Sequence, residues 1–250
     1  MFKYSKVIYS IVCLIALSVS SPAIAADISI GAGGSWQSSP YKSHDDTVLP
    51  VPLIHFESER FYIRGLDAGV HIWRNEQQAV SFGVSYAALS FDPSKTDDRR
   101  LKHLDDRYSS LNAYLQYAVQ TEYGHAGVRV LRDVLGNSDA FSAEAYYKYP
   151  LMLGPVYVSP GAGLRWDSED QLDYYFGISS REARKSGLDK YSPDSGISPF
   201  LSLEADWKFA EHWSVMAAGR VVFLSKEIKD SPMVDDSQIF NATIGLKYSF

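Results

Sequence analysis

Regular alternation of apolar and polar residues at the C-terminus is the feature that most constrains the fold of this chain. Over positions 240–250 every even residue is apolar or aromatic, and every odd residue is polar or glycine. A period of two places the apolar side chains on one face of a β-strand. Strands of about 9–11 residues span a bilayer when they are tilted in a closed barrel. The pattern therefore predicts a membrane barrel strand that ends the chain on its apolar face.

Further segments with the same alternation predict more strands. They are 28–36, 48–57, 61–73, 80–91, 110–120, 125–132, 141–149, 156–166, 197–209 and 213–224. A bacterial barrel made from one chain has an even number of strands, so that both termini reach the periplasm. We therefore predict an all-β fold, a single antiparallel barrel of about 12 strands with about 10 as the alternative. The extra strand is expected near Gly65, where the apolar phase changes and indicates a bulge or a break.

The N-terminal residues have the pattern of a secretory signal peptide. Two lysines precede an apolar run at 7–19, and Ala23-Ile24-Ala25 supplies the small residues of a cleavage site. The apolar run is short for a transmembrane helix. The sequence predicts a cleaved signal peptide at 1–25 and an outer-membrane β-barrel at 26–250, with an uncleaved anchor as the alternative.

Composition excludes several other classes of protein. The only cysteine, Cys13, falls within the predicted signal peptide, so the mature chain has no thiol for a disulfide or a metal site. The formal net charge is −6, which offers no basic surface for nucleic acid. Beyond the signal peptide no apolar run reaches about 18 residues, so a membrane location requires a closed barrel. We expect the outer membrane of a Gram-negative cell, with outer-membrane lipid around the wall.

Loop lengths predict which way the barrel faces. Long polar stretches occur at 37–47, 92–106, 167–196 and 225–237, and short links at 123–124, 150–153 and 210–212. Outer-membrane barrels have long extracellular loops and short periplasmic turns. Counting back from the C-terminus, the last three long stretches lie outside. Tryptophans near the predicted strand ends fit interfacial aromatic girdles; they are Trp36, Trp73, Trp166, Trp207 and Trp213.

The sequence contains only weak signals for catalytic or metal-binding groups. No serine lies in a G-x-S-x-G elbow, and the glycines at 31–36 depart from the dinucleotide fingerprint. His103 beside Asp105 or Asp106 at a barrel rim would suit a hydrolase whose base activates water, but a charge-paired loop is the interpretation we favour. The carboxylates at 230–236 lack the spacing of a calcium loop. We predict no enzyme activity, no cofactor and no metal.

Charged residues are expected in two other places. At inward-facing strand positions they are expected to pair and fill the lumen, with a small polar pore as the alternative. The stretch 167–196 carries three aromatic residues at 174–176 and a basic run at 181–185. Loops of this length are uncommon unless they have a function. We expect a lid over the barrel mouth, with the basic run facing Asp105 and Asp106; a mobile loop is the alternative.

Short motifs occur in a fixed order along the predicted loops. They are Arg64-Gly65-Leu66, His103-Leu104-Asp105-Asp106-Arg107, Tyr174-Tyr175-Phe176-Gly177-Ile178-Ser179, Ser186-Gly187-Leu188 and Asp230-Ser231-Pro232-Met233-Val234. Together they resemble the MltA-interacting protein (MipA/OmpV) family, and the resemblance covers nearly the whole mature chain. It implies an outer-membrane β-barrel without known catalytic residues.

The resemblance also implies partners. The best-described member of that family is a scaffold for murein synthesis, which links a membrane-bound lytic transglycosylase to a bifunctional penicillin-binding protein. Other members are described as porin-like proteins or adhesins. We therefore expect a non-enzymatic scaffold, with a small-solute channel or an adhesin as the alternative and the rim hydrolase as a third hypothesis.

The end of the chain resembles an assembly signal. Leu246, Tyr248 and Phe250 occupy alternate positions up to the terminal residue. This arrangement resembles the C-terminal signal read by the machinery that inserts outer-membrane barrels. That machinery is therefore an expected partner during assembly.

Overall fold

The alternating segments form an antiparallel sheet that closes on itself. The computed structural model describes residues 27–250, so the predicted signal peptide at 1–25 lies outside the described residues. The strands are β1 (Asp27–Gln37), β2 (Thr47–Glu57), β3 (Phe61–Arg64), β4 (Asp67–Arg74), β5 (Gln78–Ala87), β6 (Ser110–Thr121), β7 (Gly124–Asp133), β8 (Phe141–Lys148), β9 (Leu151–Leu153), β10 (Val156–Asp167), β11 (Gly196–Lys208), β12 (Trp213–Phe223) and β13 (Gln238–Ser249).

The barrel wall contains twelve strands. β8 and β9 both pair with β10 on the same side, and together they form one wall strand that is interrupted at Tyr149 and Pro150. The remaining strands follow one another in chain order, and the pairing of β10 with β11 completes the ring. β1 pairs with β13, with Ile30 opposite Tyr248. The prediction of twelve strands is confirmed, and the alternative of ten is wrong.

The predicted segment 61–73 contains two strands, β3 and β4, which form a tight hairpin. β3 has 4 residues and β4 has 8, and Arg64 pairs with Asp67 across the turn. Gly65 has a φ of +63°, a left-handed conformation that a side chain would disfavour. The phase change near Gly65 is therefore a strand break.

Alternate residues of each strand face lipid or lumen. Ile244 on β13 is exposed on the outer surface, whereas its neighbour Thr243 lines the interior. Two tyrosines, Tyr62 and Tyr114, are buried inside the barrel and share a hydrogen bond of 2.7 Å between their hydroxyls. A Cβ on Gly69 would come within 2.5 Å of the Phe82 carbonyl oxygen as well as of the Tyr62 hydroxyl, so this position requires glycine.

The two ends of the barrel differ as the loop lengths predict. Connections 38–46, 88–109, 168–195 and 224–237 all leave the same end, which is the extracellular end. They carry short helices: α1 (Glu169–Phe176), α2 (Ser180–Ser186), α3 (Lys226–Lys229) and the 3-10 turns Pro93–Lys95 and Leu101–His103. No helix among the described residues is long and apolar enough to cross a membrane. All five tryptophans lie at or near strand ends with partly exposed rings.

Candidate functional site: extracellular cap and charged lumen

The four long connections pack together into a cap over the extracellular mouth. α1 begins after Ser168, which caps the helix by accepting a hydrogen bond from the Gln171 amide. The helix buries Tyr175 and Phe176 in the main apolar cluster of the described residues. The hydroxyl of Tyr41, from the loop between β1 and β2, donates to the carbonyl of Tyr175 over 3.2 Å. The aromatic run of the 167–196 stretch is therefore folded into a lid, as the sequence indicated.

A buried ion pair connects two of these loops. Arg107 Nη2 lies 2.7 Å from Glu182 Oε1, and only 9% and 4% of the two side chains are exposed. The same Glu182 oxygen accepts from the backbone amide of Asp105 over 3.1 Å. Its other oxygen accepts from the amide of Ser179, the residue that caps α2. Every oxygen of this carboxylate is thus hydrogen-bonded, which compensates for its removal from water.

The surroundings of Glu182 favour its charged form. Burial alone would raise the pKa of this carboxyl, but the hydrogen bonds from Arg107, Asp105 and Ser179 outweigh it and lower the pKa to about 2. The pair therefore stays charged at any physiological pH. It fixes α2 to the loop between β5 and β6.

The family motifs in the long loops meet in the cap. Ser231 donates to the carbonyl of Phe176 over 2.6 Å, which ties the last loop to α1. Gly187 ends α2 in a left-handed conformation with a φ of +71°. Ser186 donates to the carbonyl of Glu182 over 2.8 Å. The motif residues buried in the cap are Leu104, Arg107, Tyr175, Phe176, Gly177, Ile178, Ser186, Leu188, Ser231, Met233 and Val234. These motifs build a structure, and nothing in the arrangement assigns them chemistry.

The rim residues weighed for hydrolysis are not arranged as a catalytic pair. His103 is exposed at the end of a short 3-10 turn, and Asp106 is also exposed. Asp105 forms an ion pair with Arg181 of α2 instead. The expected contact between the basic run and the acidic loop is therefore present at this pair. Among residues 27–250 no group of three His, Cys, Asp or Glu side chains could hold a metal ion.

Below the cap the lumen is lined by paired charges. Glu144 lies between Arg165 at 3.1 Å and Arg220 at 2.9 Å. Arg129 pairs with Asp67 over 2.9 Å. Two further pairs, Lys148 with Glu204 and Lys247 with Asp206, lie towards the periplasmic end. The expectation of paired charges holds, but the pairs leave a cavity of about 910 Å³, which we call the lumen cavity.

Sequence reasoning missed one charged cluster near the periplasmic end. Glu57 accepts hydrogen bonds from Arg64, His71 and Arg74 over 2.8, 3.0 and 2.8 Å. The two arginines and the histidine lie on β3 and β4, which the sequence did not separate. Placing the hairpin turn at Gly65 would have brought these side chains opposite Glu57.

The residues of the proposed insertion signal lie on the outer face of β13, near its C-terminal end. Leu246 is exposed to lipid, and the Tyr248 ring lies 5.1 Å from that of Trp213 and 5.2 Å from that of Phe250. Phe250 is 77% exposed. That the insertion machinery recognises these residues stays a prediction.

Known proteins resemble this chain over nearly its full length. The family model for MltA-interacting protein MipA matches residues 30–250. The MltA-interacting protein of Escherichia coli (strain K12) is 37% identical over 237 residues, which cover 95% of this chain and 96% of the relative. The YiaT protein of the same strain is 33% identical over 241 residues, covering 96% and 98%. A 24 kDa outer membrane protein of Pasteurella multocida is 25% identical over 247 residues, covering 95% and 96%.

Solved structures with a similar course of the chain are also outer-membrane barrels. An outer membrane channel from Pseudomonas putida F1 has a TM-score of 0.46 and 9% identity, covering 94% of this chain and 98% of the channel. The closed wall, together with sequence relatives that are named outer membrane proteins, shows that the protein is an outer-membrane β-barrel. The length and identity of the sequence matches show that the chain belongs to the family of MltA-interacting proteins.

Proposed function

We propose that this protein is a non-enzymatic interaction barrel that docks a murein-cleaving lytic transglycosylase at its periplasmic end. The name of the 37% identical relative, an MltA-interacting protein, supports a partner of this class. A bifunctional penicillin-binding protein is the second proposed partner, as the family resemblance implies. The closed cap supports a role on the periplasmic side, because it leaves the short-turn end as the open mouth of the barrel.

The observation that carries this proposal is an apolar strand at the periplasmic mouth. β9 pairs only with β10, and its other edge extends beyond the first residue of β7. Met152 of β9 lies opposite Tyr157, on the lumen side of the wall, and is 69% exposed. Leu153 is 61% exposed on the outer side. Exposed apolar side chains beside an unpaired strand edge are a common basis for partner binding.

Binding of a soluble transglycosylase domain tests this function. The barrel, reconstituted in nanodiscs, is titrated with a lytic transglycosylase from which the lipid anchor has been removed. We expect Met152→Glu to weaken binding at least about tenfold, which corresponds to roughly 1.4 kcal/mol. Leu135→Glu changes another exposed apolar residue, 54% exposed, in the loop after β7 at the opposite end, and serves as the matched control. Equal binding by both variants contradicts docking at β9, and no binding by the unaltered barrel contradicts the partner class.

A small-solute channel is the second candidate, because the lumen cavity has about 910 Å³ of space. The cap lies across its route to the exterior. Planar-bilayer recordings distinguish the two functions: a channel conducts as the intact chain, whereas an interaction barrel conducts only after residues 174–185 of the cap have been deleted.

A further inference from the structure

The barrel wall has a gap beside the short β3–β4 hairpin. β2 has 11 residues, but β3 pairs with it only at His55, Phe56 and Glu57. One more hydrogen bond, of 2.8 Å, runs from the Gly65 amide to the Ile54 carbonyl. Over residues 47–53 that edge of β2 pairs with no strand within 27–250. We call this gap the wall notch; it is bounded by residues 47–53 of β2, by the hairpin tip Gly65–Leu66 and by Tyr86 of β5.

The wall notch lies at the height of the bilayer. Residues 47–53 pair one by one with residues 31–37 of β1. The outward-facing residues of that part of β1 are Ala32, Gly34 and Trp36, and Trp36 marks the outer aromatic girdle. The notch therefore opens into hydrocarbon in the outer half of the membrane. The cap closes it from above, where His44 and Thr96 form a bridge between two loops.

Two prolines remove hydrogen-bond donors from this open edge. The bond at Ile54 shows that even-numbered residues of β2 direct their backbone groups towards the notch, since these groups alternate along a strand. Pro50 and Pro52 are both even, and proline has no N–H. A strand from another protein would find few donors to pair with here. The carbonyls of this edge remain, and they need donors from water or from polar groups of a lipid rather than from hydrocarbon alone.

The notch connects the bilayer with the lumen cavity. Ile54 and Gly65, at the lower border of the notch, both line that cavity. Leu53, next to them, faces the interior and is buried. Arg64, Asp67 and Arg129 line the cavity further in. A route from the membrane thus passes apolar side chains first and reaches charged groups afterwards. That order matches a molecule with a hydrocarbon chain and a polar head.

We propose that the wall notch is a lateral entrance through which the acyl chain of an outer-membrane lipid enters the barrel. The chain lies against Leu53 and the prolines of β2, and polar groups of the lipid reach the charged residues of the lumen cavity. This proposal is independent of docking at the periplasmic mouth. It follows from the hairpin length, the proline positions and the cavity.

Photolabelling in a bilayer tests the entrance directly. The full mature barrel is reconstituted in phosphatidylcholine vesicles in which some lipids carry a diazirine on one acyl chain, and labelled residues are identified by mass spectrometry. We expect label on the inward-facing residues Val51 and Leu53 as well as on outward-facing Pro50. On β10, far from the notch, outward-facing Leu164 is labelled and inward-facing Ser159 is not. Absence of label on Val51 and Leu53, as on Ser159, overturns the proposal.

A blocking variant provides the second arm. Leu66→Trp places a large ring at the hairpin tip, and Leu164→Trp places the same ring on the lipid face of β10. Labelling of Leu53 is expected to fall several-fold with Leu66→Trp only, while labelling of Pro50 stays unchanged in both. Equal labelling of Leu53 in the two variants, when both migrate as folded barrels, overturns the proposal.

A third arm tests whether a second copy of the chain occupies the notch. Val48→Cys introduces a thiol at the open edge, and the only other cysteine of the chain is at position 13. The mature variant is expected to stay monomeric under oxidising conditions in detergent. A disulfide-linked dimer overturns the lipid occupant in favour of strand pairing between copies.

Discussion

Arg107 and Glu182 form a buried ion pair that joins two loops of the cap. Removing one member of a buried ion pair leaves the other charge uncompensated and costs about 3–5 kcal/mol. We therefore expect Glu182→Ala to open the cap. Trypsin added to intact cells should then cleave the variant at Arg184 far faster than it cleaves the unaltered protein. Asp105→Ala breaks an exposed ion pair with Arg181 of the same helix, worth about 0–1 kcal/mol, and is the control. If trypsin cleaved both variants at similar rates, the buried ion pair would stabilise the cap no more than the exposed one.

The same carboxylate gives the cap a defined pH dependence. The pKa of Glu182 is lowered from 4.5 to about 2, so its contribution to stability is complete above pH 4.5 and is lost as pH falls towards 2. Hydrogen exchange of the α2 amides is expected to accelerate over this range. In Glu182→Gln, hydrogen exchange of the α2 amides is expected to be faster at neutral pH. Its further acceleration between pH 4.5 and 2 is expected to be smaller than in the unaltered protein. An unchanged acid response in the variant would show that other carboxyls control the cap.

At the scale of single strands, the facing of β13 can be tested by one pair of substitutions. Ile244 is exposed to lipid at the middle of the strand, and Thr243 faces the lumen cavity. An arginine on the lipid face near the midplane costs about 2–4 kcal/mol. Ile244→Arg is therefore expected to lower the free energy of unfolding in urea by this amount, and Thr243→Arg by clearly less. The reverse order would mean that the register of β13 is shifted by one residue.

Most strands could be predicted from the sequence, because alternation is a local property that pairing in a barrel preserves. The predicted segment 156–166 differs from β10 by one residue, at its end, and 213–224 from β12 by one. The hairpin of β3 and β4 was located only by its change of phase, because four residues are too few for a periodic signal. The interruption between β8 and β9 was predicted only as a short link, since 141–149 and 156–166 were treated as neighbours.

For the whole molecule, closure of the wall predicts a folded state that resists detergent. Each wall strand pairs with a neighbour on both sides, apart from the edges noted above, so strand pairing satisfies the backbone groups along the ring. The unboiled protein is therefore expected to migrate differently from the boiled protein in detergent gels. Identical migration, together with a helical circular dichroism spectrum, would contradict the barrel.

The last residue is expected to act during assembly of the barrel. Phe250 is 77% exposed, so its removal costs far less than the roughly 1.5–3 kcal/mol of a fully buried side chain. Deleting Phe250 is expected to lower the yield in the outer membrane and to increase periplasmic degradation. Phe240→Ala, on the same lipid-facing side of β13, is the control and should leave the yield close to normal. Normal yield of the deletion would contradict an insertion signal at the terminus.

The fold class, the faces of the strands and the family can be inferred from local features of the chain, because they depend on periodicity and on short motifs. What those motifs build is visible only in the folded protein. The pair of Arg107 and Glu182 joins residues 75 positions apart, and the hydrogen bond of Ser231 to Phe176 spans 55. Contacts at such separations depend on how the ring of strands brings its loops together. Local sequence patterns do not predict which loop residues meet. The wall notch likewise exists only because a four-residue strand stands beside one of eleven in a closed wall.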